Sequence, residues 1–171
     1  CEKYAPRCNE AKQYWGDTLA VYDDFDKFIE HDKNTEVLYI GTHNRMEKDI
    51  VPKNGIPYFG IEICGLQKNL KGIKAIFLFI KAIFTCKKKI KEFKPDLVIG
   101  VGGYVTAPVI YAAKSLGIKT IVHEQNSIPG KSNKFLEKYT DRIMVSLPGS
   151  INYFNKDKVV LTGNPRSEEA N

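Results

Sequence analysis

Leu97-Val98-Ile99-Gly100-Val101-Gly102-Gly103-Tyr104-Val105-Thr106-Ala107-Pro108 and, one helix later, Thr120-Ile121-Val122-His123-Glu124-Gln125-Asn126 decide the fold of this 171-residue chain. Residues 97–101 are apolar without alternation, as a strand covered on both faces is. Gly102-Gly103 ends that run. Residues 108–116 then read as a helix, with Pro108 at its start and Gly117 suited to its C-cap. Residues 120–122 form the next apolar strand, and four polar side chains follow it. Strand, glycine loop, helix and strand in this order predict a parallel crossover unit.

The pattern extends in both directions. Residues 37–41 read as a short buried strand ending in Gly41, and residues 57–63 alternate like a second. Between them Asn44 is placed to cap a helix over 45–51, with Pro52 just beyond its end. Residues 72–93 predict a long lysine-rich helix, stopped by Lys94-Pro95. Residues 131–139 look helical, and 142–145 and 158–161 are two more short strands. Upstream, residues 1–16 are polar with no clear period, and residues 18–29 are roughly helical. The expectation is an α/β fold, a parallel sheet flanked by helices on both faces, with ligands outside the carboxyl ends of the strands.

Composition narrows the class. At 43% hydrophobic and 27% charged residues the chain matches an ordinary globular domain, which excludes a disordered polymer. No repeat of collagen or coiled-coil kind occurs. The longest apolar run, residues 75–84, is broken by Lys81 and falls short of the ~20 residues that span a bilayer. Cys1, Cys8, Cys64 and Cys86 include no C-x-x-C pair, and no histidine stands at zinc-ligand spacing. They read as free thiols of a reducing compartment, with a Cys1–Cys8 bridge as the alternative. No secretory signal is visible, and a start at Cys1 suggests a processed product or a piece of something longer. His31 and His43 read as surface or satisfied histidines.

Charge is unevenly spread. Residues 1–36 hold nine acids and five bases, a net of −4, which leaves +10 to residues 37–171 because the whole chain carries +6. Residues 71–94 alone hold eight lysines and one glutamate. Such a cluster meets phosphates or an anionic membrane. Nucleic acid is the weaker reading, because no reader motif accompanies the charge.

Three features carry chemistry. The glycine loop, residues 100–108, leaves a strand and enters a helix, so its free N–H groups and the helix dipole can attract a phosphate. A dinucleotide fingerprint would need glycine where Val105 stands, although Glu124 ends the next strand about where a ribose-binding acid belongs. A tight turn that needs glycine for packing alone is the other reading. His123-Glu124-Gln125-Asn126 could read sugar hydroxyls or place one general base, or could be a polar loop whose Asn126 caps the next helix. In the lysine-rich helix, Ile73, Ile76, Phe77, Ile80, Ile83, Phe84 and Ile90 share one broad face, the expected core side. Lys71, Lys74, Lys81 and Lys88 form the opposite stripe, with Leu78 inside it and Phe79 at its edge. Apolar residues among lysines suit a helix resting on an anionic membrane, against the alternative of a solvated basic face.

Four strings, taken together, resemble one family. They are Gly41-Thr42-His43-Asn44-Arg45-Met46-Glu47, Gly102-Gly103-Tyr104-Val105-Thr106-Ala107-Pro108, His123-Glu124-Gln125-Asn126-Ser127-Ile128-Pro129-Gly130-Lys131-Ser132-Asn133-Lys134 and Thr162-Gly163-Asn164-Pro165-Arg166. In this order they are similar to the MurG family, bacterial transferases that add N-acetylglucosamine from UDP-GlcNAc to lipid I to give lipid II in peptidoglycan synthesis. The resemblance implies a Rossmann-like domain, the N-terminal half of a GT-B glycosyltransferase, over residues 37–166. Residues 167–171 would begin an interdomain linker. It implies that Gly102, Gly103, Tyr104, Thr106 and His123 meet the acceptor and its pyrophosphate. Asn126 and Arg166 would approach the donor, and Glu124 would assist deprotonation of the attacking hydroxyl. Lys74, Leu78, Phe79 and Lys81 would touch the membrane. No metal or other cofactor is implied. The partners implied are lipid I, the anionic inner leaflet at the cytoplasmic face, and a donor-binding C-terminal domain or partner chain.

Two departures stand beside the likeness. Family members begin with a strand and a Gly-Gly-Thr-Gly-Gly-His loop, and residues 1–36 offer neither that loop nor its histidine. The donor domain is also missing from these 171 residues, so chemistry by this chain alone is not expected: a half-site cannot orient both substrates or exclude water. A non-catalytic acceptor-binding, membrane-docking subunit is the first alternative. A nucleotide-dependent oxidoreductase is the second.

Overall fold

The computed structural model describes residues 35–64 and 71–164; of residues 71–74 it describes the helical backbone only. The expected helix at 18–29, Cys1, Cys8 and Arg166 lie outside the described residues. The described residues from Val37 onward cluster as one compact unit.

Strands and helices alternate as the sequence predicts. The order is β1 (Tyr39–Thr42), α1 (Glu47–Lys53), β2 (Tyr58–Ile61), α2 (Lys71–Phe93), β3 (Leu97–Gly100), α3 (Gly103–Ser115), β4 (Lys119–Glu124), α4 (Lys131–Leu136), β5 (Arg142–Val145), a 3-10 turn (Pro148–Tyr153) and β6 (Val159–Leu161). All pairings are parallel. The strands form two sheets, a pair β1-β2 and a four-stranded sheet in the order β3-β4-β5-β6. A single continuous sheet was the expectation, and the described residues do not form one.

α2 and α3 tie the two sheets together. Ala82, Cys86 and Ile90 of α2 meet Val109, Ala112 and Ala113 of α3, with Ile61 of β2 in the same cluster and Ile40 and Val98 packed against it. Small residues on both helices permit close packing of one on the other. A second cluster, Ile110, Val122 and Leu136, seats α3 and α4 on β4. Ile143, Val145, Phe154 and Val159 close the far end. At the foot of β4, Asp141 accepts from Thr120 N at 2.9 Å and Thr120 Oγ1 at 3.0 Å and pairs with Lys114 at 2.5 Å. Burial opposes the Asp141 charge, but these partners outweigh it and hold the carboxyl below its ordinary value.

Local boundaries depart from the sequence reading for identifiable reasons. α1 starts at Glu47 behind Met46, and Asn44 makes no capping bond; Pro52 sits inside its last turn rather than beyond it. α3 starts at Gly103, five residues before the expected Pro108, which lies inside the helix. β4 runs two residues further than the apolar pattern and takes in His123 and Glu124, both buried. Cys86 is buried and free, and burial pushes its thiol up to about 12, so it is chemically quiet.

The largest correction is the orientation of α2. Its buried residues are Ala75, Leu78, Ala82, Cys86 and Ile90, the stripe with small side chains. Leu78, expected at the surface, is only 9% exposed, and Phe79 is half-buried. Ile76, Phe77, Ile80 and Phe84, expected in the core, face solvent, with Phe77 68% and Phe84 67% exposed. The helix partner decides this: α3 offers Ala112 and Ala113, and only a small-residue face packs closely on them.

Candidate functional site

The loops at the carboxyl ends of β3 and β4 lie side by side. Gln125 Nε2 donates to Val101 O at 3.1 Å, and Ser132 Oγ donates to Gly103 O at 3.4 Å. Chain order places both loops there, because parallel strands put their carboxyl ends on one edge of the sheet.

The β3 loop is built for close approach. Gly102 has φ 99° and ψ −176°, and Gly103 has φ 81°, a backbone that side chains rarely adopt. A Cβ on Gly100 would stand 2.4 Å from Thr106 Cγ2, so glycine there lets α3 seat against β3. No side chain caps α3. The Thr106 hydroxyl instead donates to Gly102 O. The first-turn amides therefore keep the partial positive charge that attracts an anion. Tyr104, the second helical residue, is exposed.

The β4 loop is organised around one carboxylate. Glu124 is 1% exposed. Its Oε1 accepts from Asn126 N at 2.9 Å and Asn126 Nδ2 at 2.8 Å. Its Oε2 accepts from Gly130 N and Asn133 Nδ2, both at 2.9 Å. Burial pushes the Glu124 carboxyl up, but these hydrogen bonds together pull it below its ordinary value. A carboxylate so held is a weak base with its lone pairs occupied. These bonds hold the loop from Asn126 to Asn133, and a proton taken by Glu124 from an attacking hydroxyl would have to compete with them.

Other candidates are placed as follows. His123 is buried, and its Nε2 lies 3.2 Å from Gly163 O. This contact ties β4 to the segment after β6. Asn126 is exposed, and its amide nitrogen is held by Glu124. It does not cap α4, the alternative reading; the N-cap of that helix is Gly130. Lys81 is exposed and stands 3.6 Å from Glu62. The side chain of Lys74 lies outside the described residues.

Sequence reasoning missed the parts that hold the loop. Gly130 and Asn133 supply two of the four bonds to Glu124, and Asn133 also donates to His123 O at 3.3 Å. Both stood in the quoted string as fixed spacings after Glu124, which was the available signal. Ser150 lies in the 3-10 turn, which the sequence reading did not anticipate. Its hydroxyl donates to Asn126 O at 2.7 Å from the other side. Asn133 Oδ1 and Ser146 Oγ are buried without a partner among the described residues. Unmet polar atoms of this kind cost about 1–3 kcal/mol each; Asn133 lies in α4 and Ser146 just after β5. Among the described residues no cluster of His, Cys, Asp or Glu could hold a metal ion.

Residues 25–145 match the family model for the glycosyltransferase family 28 N-terminal domain. The chain belongs to glycosyltransferase family 28. Among its relatives, the UDP-N-acetylglucosamine–N-acetylmuramyl-(pentapeptide) pyrophosphoryl-undecaprenol N-acetylglucosamine transferase of Bacillus licheniformis is 50% identical over 141 residues, 81% of this chain and 38% of that protein. The Exiguobacterium sibiricum transferase of the same name is 48% identical over 145 residues, 82% of this chain and 40% of its own length. The chain spans about two fifths of the length of these curated relatives. Among solved structures, Acinetobacter baumannii MurG superposes with a TM-score of 0.66 at 32% identity, covering 85% of this chain and 41% of that one. The UDP-GlcNAc 2-epimerase of Neisseria meningitidis, at 17% identity and a TM-score of 0.57 over 95% of this chain and 42% of its own, shares the fold alone. Family membership displaces the oxidoreductase reading, which rested on an incomplete glycine fingerprint.

Proposed function

We propose that this chain supplies the acceptor and membrane half of a transferase that moves N-acetylglucosamine from UDP-GlcNAc to lipid I, giving lipid II at the cytoplasmic face of the bacterial cell membrane. The observation that carries this reading is the uncapped N-terminus of α3 beneath Gly102-Gly103, a seat for the acceptor pyrophosphate, in a chain of this family. The amides of Gly103 and Tyr104 would bind that charge. Asn126, whose Oδ1 has no partner among the described residues, would face the sugar nucleotide, with Arg166 nearby along the chain. Glu124 holds Asn126 in place. The acceptor hydroxyl attacks the anomeric carbon with inversion and UDP departs, its charge met by amides and helix dipoles. A base takes the proton of that hydroxyl as the new bond forms. The donor site is supplied by a C-terminal domain or a partner chain.

The membrane contact is carried by Ile76, Phe77, Ile80 and Phe84, with Lys81 and Lys88 exposed on the same helix. Among the described residues no helix is long and apolar enough to cross a membrane. An exposed apolar stripe among lysines is the pattern of a helix lying in the interface of an anionic bilayer.

The test is UDP release from UDP-GlcNAc with a soluble lipid I analogue, first with this chain alone and then with a separately made donor domain of the family. The expected result is analogue binding by the chain alone and turnover only with both parts, reduced by Asn126→Ala. Absence of analogue binding overturns the reading, and turnover by the chain alone overturns its division into halves. Binding with no turnover in either case favours the non-catalytic acceptor-binding subunit.

A further inference from the structure

A cleft of about 530 Å³ lies between α4 and the segment that enters β6, lined by Lys134, Phe135, Glu137, Lys138, Asn155 and Lys158. It shares no residue with the glycine loop or with the partners of Glu124. Three lysines against one glutamate give it a charge of 3 − 1 = +2.

The hydrogen bonds show which groups are spent and which are left. Lys158 Nζ donates to Glu137 O at 2.9 Å and to Thr140 O at 3.0 Å. Lys134 Nζ donates to Tyr153 O and, at 2.7 Å, to Glu137 Oε2. Glu137 Oε1 accepts from Asn155 N at 2.5 Å. The one carboxylate is thus engaged at both oxygens. An ammonium has three protons, so Lys134 and Lys158 each keep one to give. Lys138 Nζ stands over the rings of Phe135 and Tyr139, 4.7 and 5.1 Å from their centres, and hydrogen-bonds to no described residue. Asn155 Oδ1 accepts from Asp157 N at 3.0 Å, while its Nδ2 has no partner among the described residues. What remains unspent in the cleft is a set of donors, three of them cationic. Beside them Phe135 is 51% exposed.

We propose that this cleft binds a soluble phosphate monoester, with the phosphate on Lys134, Lys138, Lys158 and the Asn155 amide and the organic part against the Phe135 ring. Converging cationic donors with no free acceptor among them select a compact, multiply charged anion. The volume exceeds what a bare phosphate fills and falls within the roughly 300–1,000 Å³ of small-molecule sites, which leaves room for the organic part. A bilayer headgroup is the poorer occupant. Lysines that serve a bilayer reach outward on free stems. Lys134 and Lys158 are instead held back on main-chain carbonyls, an arrangement already set for a discrete ligand.

The probe is phenyl phosphate, titrated into the full chain labelled with heavy nitrogen and read by amide chemical shifts. The expected result is saturable shifts at Glu137, Lys138 and Asn155, with affinity several-fold higher than that of inorganic phosphate read at the same amides. Lys138→Gln should lower the phenyl phosphate affinity by about tenfold, the worth of one charged donor. Lys138 is exposed and gives no hydrogen bond, so shifts far from the cleft should stay as in wild type. Phe135→Ala should bring phenyl phosphate down to the level of inorganic phosphate. That ratio of two ligands does not move with a general loss of stability. Shifts confined to Gly102 and Gly103, equal affinity for both anions in wild type, full affinity in Lys138→Gln, or a response at these amides to phosphatidylglycerol vesicles but not to phenyl phosphate would each overturn the proposal.

Discussion

The carboxyl ends of β3 and β4 adjoin, and they are finished in opposite ways. At β4 every lone pair of Glu124 that the fold can reach is engaged, and the loop is held from both sides by Asn133 and Ser150. At β3 the loop is nearly bare glycine, and the helix behind it has no cap. The difference separates scaffold from site. Groups that have spent their hydrogen bonds on one another fix a shape, and groups left unpaired are free to bind. A buried glutamate at a strand end invites assignment as a base, but the count of its donors argues for a brace.

The most severe way to break this contrast is Glu124→Ala. Four donor groups from three residues lose their acceptor, one of them the buried Asn133 amide. We expect a loss of about 3–4 kcal/mol in urea unfolding, at the upper end for a buried hydrogen-bond network. A loss under about 1 kcal/mol would show that the loop does not depend on this carboxylate. Glu124→Gln keeps one acceptor oxygen but turns an amide N–H₂ toward donors, so it should be intermediate.

Acid should act on the same brace. The folded-state pKa of Glu124 is lowered relative to its ordinary value. Its contribution is therefore complete above the unfolded value of about 4.3 and is lost as pH falls through the lower folded value. Glu137 and Asp141 are shifted in the same direction and add to the acid loss. The difference between wild type and Glu124→Gln isolates the one group. That difference should be constant from pH 7 to about 5 and shrink below about pH 4. A difference that stays constant down to pH 2, or that grows on acidification, would reverse the assignment.

The contrast between the two loops was half legible in the sequence. Gly102-Gly103 after an apolar strand reads as an anion seat because glycine and a helix start are local signals, and the structure keeps both. The brace was not legible. His123 and Glu124 are polar, so periodicity ends the strand at Val122, whereas partners six and nine residues beyond Glu124 hold its carboxylate inside and Gly163 O stands 3.2 Å from the His123 ring. The α2 helix teaches the same lesson. Its period fixed a helix, and its bulk of Ile and Phe suggested the inward face. Which face turns in depends on Ala112 and Ala113 of α3, which no local pattern around α2 contains. Pro108 misplaced the start of α3 for a related reason: proline favours a first turn, but inside a helix it removes only one bond, and packing on β3 and β4 carries the rest.

Gly102→Ala tests the open side at smaller cost. Alanine at φ 99° and ψ −176° is strained by about 1–3 kcal/mol, while no neighbour stands closer than Asn133 Nδ2 at 3.9 Å to the added Cβ. The protein should fold, with a melting temperature lower by several degrees. Analogue binding should fall more than stability does, because relief of the strain turns the Gly102-Gly103 amides away from the anion. Equal binding by wild type and variant would mean that the loop is a packing turn.

The smallest effect is expected of Tyr104→Ala. Tyr104 is 56% exposed at the second position of α3, and no hydrogen bond joins its side chain to another described residue. Alanine is the better helix former, so unfolding free energy should stay within about 0.5 kcal/mol of wild type. The backbone amide that faces the anion is unchanged by this substitution. Any loss of analogue affinity therefore reports contact of the ring with the acceptor beyond its pyrophosphate. A fall of about three- to tenfold at unchanged stability, measured by calorimetric titration, would place the phenol on the acceptor, since one such contact is worth about 1 kcal/mol. Unchanged affinity would confine recognition at this loop to the backbone and make the open end of β3 a seat for charge alone.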